Sequence, residues 1–380
     1  MKIVVDENIS YGKEAFEIVG EVELFHGREI KSKHLTNKDA LIIRSITNVN
    51  KNLLQKTNVK FVGTATIGTD HIDKKYLSQK EIQFDYAPGC NSYAVTEYVY
   101  SAIAYITAKQ NMSLEHMSLG IIGYGNIGTK VEEIAKSIGL KVIINDPPLQ
   151  RENNSNYFSS LEEALSCDII TFHVPLNLDG LDKTYHLLNK NNISLIKENS
   201  ILINASRGPV IDNKVLKNRL RNTKNIFAVL DVWEKEPDFD QELLDLVELG
   251  TPHIAGYSFE GKVNGTTMVY NKLCEFFNIK KVWTPDLPPV SKNKIVLDKK
   301  RSKLETLSKL FKKSYQVKND DLAMRESENF TKKEKLSHFD SLRKNYKLRR
   351  ELNNYQVQIS KAEKETIKLL SSLRLNILET

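Results

Sequence analysis

A chain of 380 residues exceeds what one hydrophobic core usually supports, so two or three domains are expected. With 40% apolar and 27% charged residues, and apolar runs no longer than a strand, the composition excludes a disordered chain and predicts a soluble cytoplasmic protein with no membrane partner. The formal charge of +7 resides in the tail, where residues 290–380 carry 23 Lys and Arg against 12 Asp and Glu while the remainder carries 32 against 36, so no nucleic-acid partner is expected.

Met1-Lys-Ile-Val-Val-Asp6 reads as a first strand without a signal-peptide pattern. Short apolar runs follow at Val22–Phe25, Ala40–Ile43, Phe61–Gly63 and Gln83–Tyr86, separated by helical stretches, and that alternation predicts a parallel sheet covered by helices. From Ala94 to Lys109 a pattern of Ala, Val, Tyr and Ile predicts a helix long enough to pass between domains. The run Leu119-Gly-Ile-Ile-Gly-Tyr-Gly-Asn-Ile-Gly128 then joins an apolar strand to a helical pattern through three glycines. Gly123 permits a tight turn, Gly125 lets backbone N–H groups approach a pyrophosphate, and Gly128 permits close packing. Asn126 and Ile127 lie between them, at the positive end of the helix. A second strand, Lys141–Asn145, ends at Asp146, whose carboxylate can accept both ribose hydroxyls of an adenosine. It would repel a 2′-phosphate, so the expected cofactor is NAD rather than NADP.

Further strands are predicted at Ile169–His173, Ser200–Asn204 and Ile226–Leu230. The prolines of Trp283-Thr-Pro-Asp-Leu-Pro-Pro289 mark an extended linker, beyond which there is neither glycine nor proline. The tail shows helical patterns at Leu304, Leu307, Leu310 and Phe311 and at Ile367, Leu370 and Leu373, with a strand at Tyr355–Ile359. Its basic runs, Lys299-Lys-Arg301 and Lys332-Lys-Glu-Lys335, read as solvated faces. Cys90, Cys167 and Cys274 lack metal or redox spacing and read as reduced and mostly buried, and no metal site is expected.

Three polar positions stand at the ends of consecutive elements: Arg207 in Asn204-Ala-Ser-Arg-Gly-Pro209, just past a strand, Glu236 in Asp231-Val-Trp-Glu-Lys-Glu-Pro237, and His253 in Thr251-Pro-His-Ile-Ala-Gly256. Ligands of doubly wound sheets bind outside the carboxyl ends of the strands, so the three can converge on one ligand. Hydride transfer from a 2-hydroxy acid needs a group that holds the carboxylate, which the planar fork of arginine does bidentately. It also needs a group that exchanges the hydroxyl proton, for which histidine is suited. Glu236 would favour the imidazolium by charge and hydrogen bonding. His71 and His173 lie near strand ends and shape the site, whereas His26, His34 and His186 read as surface residues.

Gly-Tyr-Gly-Asn-Ile-Gly, Asn-Ala-Ser-Arg-Gly, Asp-Val-Trp-Glu-Lys-Glu-Pro and Thr-Pro-His-Ile-Ala-Gly, in that order and spacing, resemble the D-isomer-specific 2-hydroxyacid dehydrogenases. The resemblance extends over the whole chain, most weakly from Val290 to Lys335, and His338–Glu351 resembles the C-terminal dimerisation domain of one branch. It implies an α/β protein of two doubly wound, Rossmann-like domains with a cleft between them. These would be a substrate domain, 1–93 completed by about 262–285, and an NAD domain, 94–261, followed by a small α+β dimerisation domain, 290–380. It also implies catalytic roles for Arg207, Glu236 and His253. NAD contacts are implied at Asp146, Val174, Ala205, Ser206, Arg207, Asp231 and Gly256, with Val174 standing where relatives place a threonine, and substrate contacts at Ser45, Thr66 and Tyr257. A phosphorylated hydroxy acid, anionic at both ends, would need a second cationic or N–H-rich patch, which Arg44-Ser45 and the Gly63–Thr69 loop can supply; Arg349 or Arg350 of a partner subunit is a further candidate. The alternatives are a dehydrogenase of a phosphoglycerate- or hydroxypyruvate-type acid, or a dinucleotide-sensing nucleic-acid binder.

Overall fold

In the computed structural model, which describes residues 1–222, 226–297, 301–360 and 363–379, the chain forms two compact units. The first comprises Met1–Asn91 and Ser258–Pro289, the second Ser92–Tyr257 and Val290–Thr380. The tail therefore joins the dinucleotide domain in one unit. Lys299 and Lys300 lie outside the described residues.

The first unit is built on five parallel strands: β1 (Lys2–Asp6), β2 (Glu21–Phe25), β3 (Ala40–Ile43), β4 (Phe61–Thr64) and β5 (Gln83–Tyr86), in the order β2-β1-β3-β4-β5. β3 is buried along its whole length, as an unbroken apolar run in a sheet covered on both faces should be. Helix Phe259–Phe276 covers the carboxyl side of this sheet. Thr266 Oγ1 donates to the Ser10 carbonyl (2.7 Å) and Asn264 Nδ2 to that of Cys90 (3.2 Å), while a Cβ on Gly265 would stand 2.7 Å from the Ala65 carbonyl oxygen.

The second unit contains β6 (Ser118–Ile122), β7 (Lys141–Asn145), β8 (Ile169–Phe172), β9 (Ser200–Asn204), β10 (Ile226–Leu230) and β11 (Leu249–Gly250), all parallel, ordered β11-β10-β9-β8-β6-β7. The strand order reverses between β6 and β8, the switch point at which doubly wound sheets open a crevice. Pairing brings the last residues of all six strands into one row: Asn145, Ile122, Phe172, Asn204, Leu230 and Gly250.

In the tail, β12 (Lys294–Leu297), β13 (Gln356–Ile359) and β14 (Asn376–Glu379) form a separate parallel sheet. Only β13 is legible as a strand in the sequence, because β12 and β14 are four-residue segments whose pairing partners lie far along the chain. One face packs Ile295, Leu297, Val357 and Ile359 into the core shared with the long helix Ser92–Lys109. A buried network fastens that helix to the tail. Arg349 donates to the carbonyls of Ala94 (2.6 Å) and Ala255 (3.1 Å), stacks 3.7 Å from the Tyr315 ring centroid and faces Glu97 at 3.8 Å. Burial first, then repulsion from Glu351, pushes the Glu97 carboxyl well above the usual carboxylate range. Arg349 and Arg350 are thus both buried in their own chain, 3% and 6% exposed, which corrects the expectation that one of them reaches into a partner's phosphate site. The three cysteines are free and buried, and among the described residues no helix is long and apolar enough to cross a membrane.

Candidate active site

The glycine turn leaves β6 at the switch point. Gly123 takes φ +96°, and a Cβ there would stand 2.7 Å from the His173 carbonyl carbon, so both conformation and space demand glycine. A Cβ on Gly128 would stand 2.2 Å from the Gly123 carbonyl oxygen, whereas a Cβ on Gly125 would meet no atom of the described residues within 4 Å. That open space is what a pyrophosphate lying against the backbone and the positive end of helix Gly128–Ile138 requires. Asn126 is exposed beside it and Ile127 half-buried against the core. Asp146, at the end of β7, accepts from the Tyr124 N–H (2.7 Å) and the Leu149 N–H (3.0 Å), which fixes its carboxylate next to the turn. Val174 follows β8 and packs half-buried against the second core cluster.

At the other end of the row, three turns leave adjacent strands at the same level. After β9, Asn204 folds the turn that carries Arg207. Its Oδ1 accepts from the Ser206 N–H (3.1 Å) and hydroxyl (2.8 Å), and its Nδ2 donates to the Arg207 carbonyl (3.0 Å). Ala205 and Arg207 remain half-buried, and the Arg207 guanidinium donates to the Ser206 carbonyl (2.8 Å). After β10, the buried Asp231 accepts at Oδ1 from the Thr251 hydroxyl (2.6 Å) and the Ile254 N–H (2.8 Å), and at Oδ2 from the Ala255 N–H (2.9 Å). Its carboxylate thus holds the His253 loop, and burial raises its pKa despite the charge of His253 and these hydrogen bonds.

Glu236 closes the constellation. Its Oε2 lies 2.7 Å from His253 Nδ1, and its Oε1 accepts from the Trp233 N–H (2.8 Å). Burial opposes its charge, yet His253, these hydrogen bonds and Arg343 together hold its carboxyl below the ordinary range. His253 sits at φ +57°, a backbone strain tolerated where structure around it over-determines the conformation. Its ring is one-third exposed. Beyond Gly256, Tyr257 is half-buried. His173 is a different kind of histidine: burial drives its pKa down to about 3, so it is neutral at working pH and does not trade protons. His186, expected at the surface, is half-buried with Nε2 2.5 Å from Glu234.

In the first unit, Arg44 and Ser45 follow β3, and Thr66 follows β4. Arg44 Nε pairs with the buried Asp6 (3.2 Å), Ser45 is exposed, and the Thr66 hydroxyl interacts with that of Thr64 (2.8 Å). Lys262, in the first turn of helix Phe259–Phe276, escaped the sequence reading. Although the residue is exposed overall, desolvation first and the like charge of Arg44 second lower the pKa of its ammonium. Asn204 also escaped it, although an Asn ending an apolar strand just before Ala-Ser-Arg was a signal for a side-chain-stapled turn.

Residues 100–255 match the family described as D-isomer specific 2-hydroxyacid dehydrogenase, NAD binding domain, and residues 287–373 match a domain of unknown function, DUF3410. The chain is similar to erythronate-4-phosphate dehydrogenases of Photorhabdus laumondii, at 42% identity over 98% of both chains, and of Wigglesworthia glossinidia brevipalpis, at 44% over 92% of both. Among solved structures it resembles NAD-bound 3-phosphoglycerate dehydrogenase of Entamoeba histolytica, with a TM-score of 0.63 and 25% identity, covering 73% of this chain and 95% of the other.

Proposed function

The chain belongs to the erythronate-4-phosphate dehydrogenase family of NAD-dependent 2-hydroxyacid dehydrogenases, and from that premise we propose that Arg207, Glu236 and His253 carry its chemistry. The reaction is oxidation of 4-phospho-D-erythronate to (R)-3-hydroxy-2-oxo-4-phosphooxybutanoate, a step of pyridoxal 5′-phosphate (vitamin B6) biosynthesis. The observation that carries the assignment of residues is the 2.7 Å Glu236–His253 pair on the turn after β10 and the loop after β11, one strand away from the Arg207 turn.

The glycine turn, its open side at Gly125 and Asp146 fit a dinucleotide, with Ser206 on the turn after β9 and Gly256 on the loop after β11. Bound there, NAD supplies the acceptor for the C2 hydride. Arg207 holds the substrate carboxylate and polarises the C2 oxygen. With the proton on Nδ1 directed at Glu236, His253 presents Nε2 to take the hydroxyl proton, and the carboxylate of Glu236 balances the imidazolium that results. Within the first unit, Arg44 and Lys262 are two cations brought close enough to repel, an arrangement that a phosphate dianion relieves, with Ser45 and Thr66 as hydroxyl donors; within the second, Tyr257 is a substrate contact. The enzyme acts in the cytoplasm as a homodimer through residues 290–380. Three free cysteines support the first statement, and exposed Val296 and Leu378, flanking Gln358 on the outer face of the tail sheet, support the second.

The test follows NADH absorbance with 4-phosphoerythronate, erythronate and 3-phosphoglycerate side by side. Rapid NADH formation from 4-phosphoerythronate alone is expected, and faster turnover of either competitor overturns the substrate assignment.

A further inference from the structure

The tail is not only a handle for a second copy. At and just beyond the end of helix Lys332–Lys344, three side chains of the tail meet the loop that carries His253. The Arg343 guanidinium donates to the Tyr257 hydroxyl (3.2 Å) and its carbon lies 5.9 Å from the Tyr257 ring centroid; the Tyr346 ring meets that of Tyr257 edge-on, with centroids 5.8 Å apart; and Arg349 donates to the Ala255 carbonyl. Arg343 also lies within electrostatic reach of Glu236, each stabilising the charge of the other. Its Nε–H is buried without a hydrogen-bond acceptor among the described residues.

We propose that Arg343 is a positioning residue of the active site, which aims the Tyr257 hydroxyl at the substrate and, beside Glu236, keeps the Glu236–His253 pair in its working charge state. The tail domain thereby completes the catalytic loop from its own chain, and the enzyme requires it for chemistry as well as for assembly. This inference rests on the proposed roles of Glu236, His253 and Tyr257.

The experiment compares the full-length wild type with Arg343→Gln and Arg343→Lys, using whichever 2-hydroxy acid the wild type oxidises and NAD titration as the check on folding. In Arg343→Gln, NAD affinity stays the same, KM for the hydroxy acid rises about tenfold, and the acid limb of the kcat/KM profile moves to higher pH, because loss of the cation makes the Glu236–His253 pair easier to protonate. Arg343→Lys restores the acid limb, since charge suffices there, but leaves KM raised, since an ammonium lacks the planar fork. A folded Arg343→Gln with wild-type KM and acid limb overturns the inference. If that variant does not bind NAD, a wild-type KM in Arg343→Lys overturns it instead. Failure of 4-phosphoerythronate as a substrate would remove the substrate assignment and leave the role of Arg343 to be judged on these comparisons.

Discussion

In the five-stranded sheet of the first unit, charge at the carboxyl edge is carried by side chains: Asp6 ends β1, Arg44 follows β3, and Lys262 lies in the first turn of the helix that covers that edge. In the six-stranded sheet of the second unit, the turn at the switch point is itself made of uncharged residues and offers backbone N–H groups and a helix terminus, with Asp146 beside them and the Lys130 ammonium on the Asn126 carbonyl (2.9 Å). Both sheets reverse strand order next to their first strand, so topology alone does not choose the ligand. The difference lies in what stands at the edge. A dinucleotide pyrophosphate is long and is tracked by many weak backbone donors, whereas a terminal phosphate is compact and is met by fixed cations.

Four substitutions probe this contrast. The largest effect is expected for Arg207→Ala, which removes the carboxylate fork but none of the glycine turn: kcat/KM should fall about 10³-fold while NAD still binds. Retained turnover would show that the carboxylate is held elsewhere. Next come two alanines in one turn. Gly128→Ala pushes a Cβ against the Gly123 carbonyl oxygen and should lower unfolding stability by about 1–3 kcal/mol. Gly125→Ala meets no protein atom, so stability should stay within about 0.5 kcal/mol of the wild type, with the loss confined to NAD affinity. Calorimetry with and without NAD separates the two, and equal stability losses would refute the reading of Gly125. The smallest effect is expected for Lys262→Met, which should raise KM about tenfold for the phosphorylated acid and leave an unphosphorylated acid unaffected. A uniform effect on both acids would place Lys262 away from the phosphate.

The parts legible in the sequence are those whose physics is local. Gly123, Gly125 and Gly128 announce a turn because no other residue fits it, and Arg207, Glu236 and His253 stand just past apolar runs that end where the strands end. What stayed hidden depends on partners far along the chain. Lys262 matters because its helix crosses the edge bearing Arg44, more than 200 residues earlier, and Arg343 because its helix delivers it to Tyr257 and Glu236. The same distance misled the reading of Arg349, which stood as a candidate for a partner's phosphate site, while Ala94, Glu97 and Tyr315 hold it in the core of its own chain.

The single row formed by Asn145, Ile122, Phe172, Asn204, Leu230 and Gly250 sets a limit on how this enzyme's descendants can vary in length. One residue gained or lost inside any of these strands would displace its following turn by about 3.3 Å and send alternate side chains to the opposite face. Insertions are therefore confined to the connections that enter the strands from the far side, where segments can grow without disturbing the alignment of Arg207, Glu236 and His253.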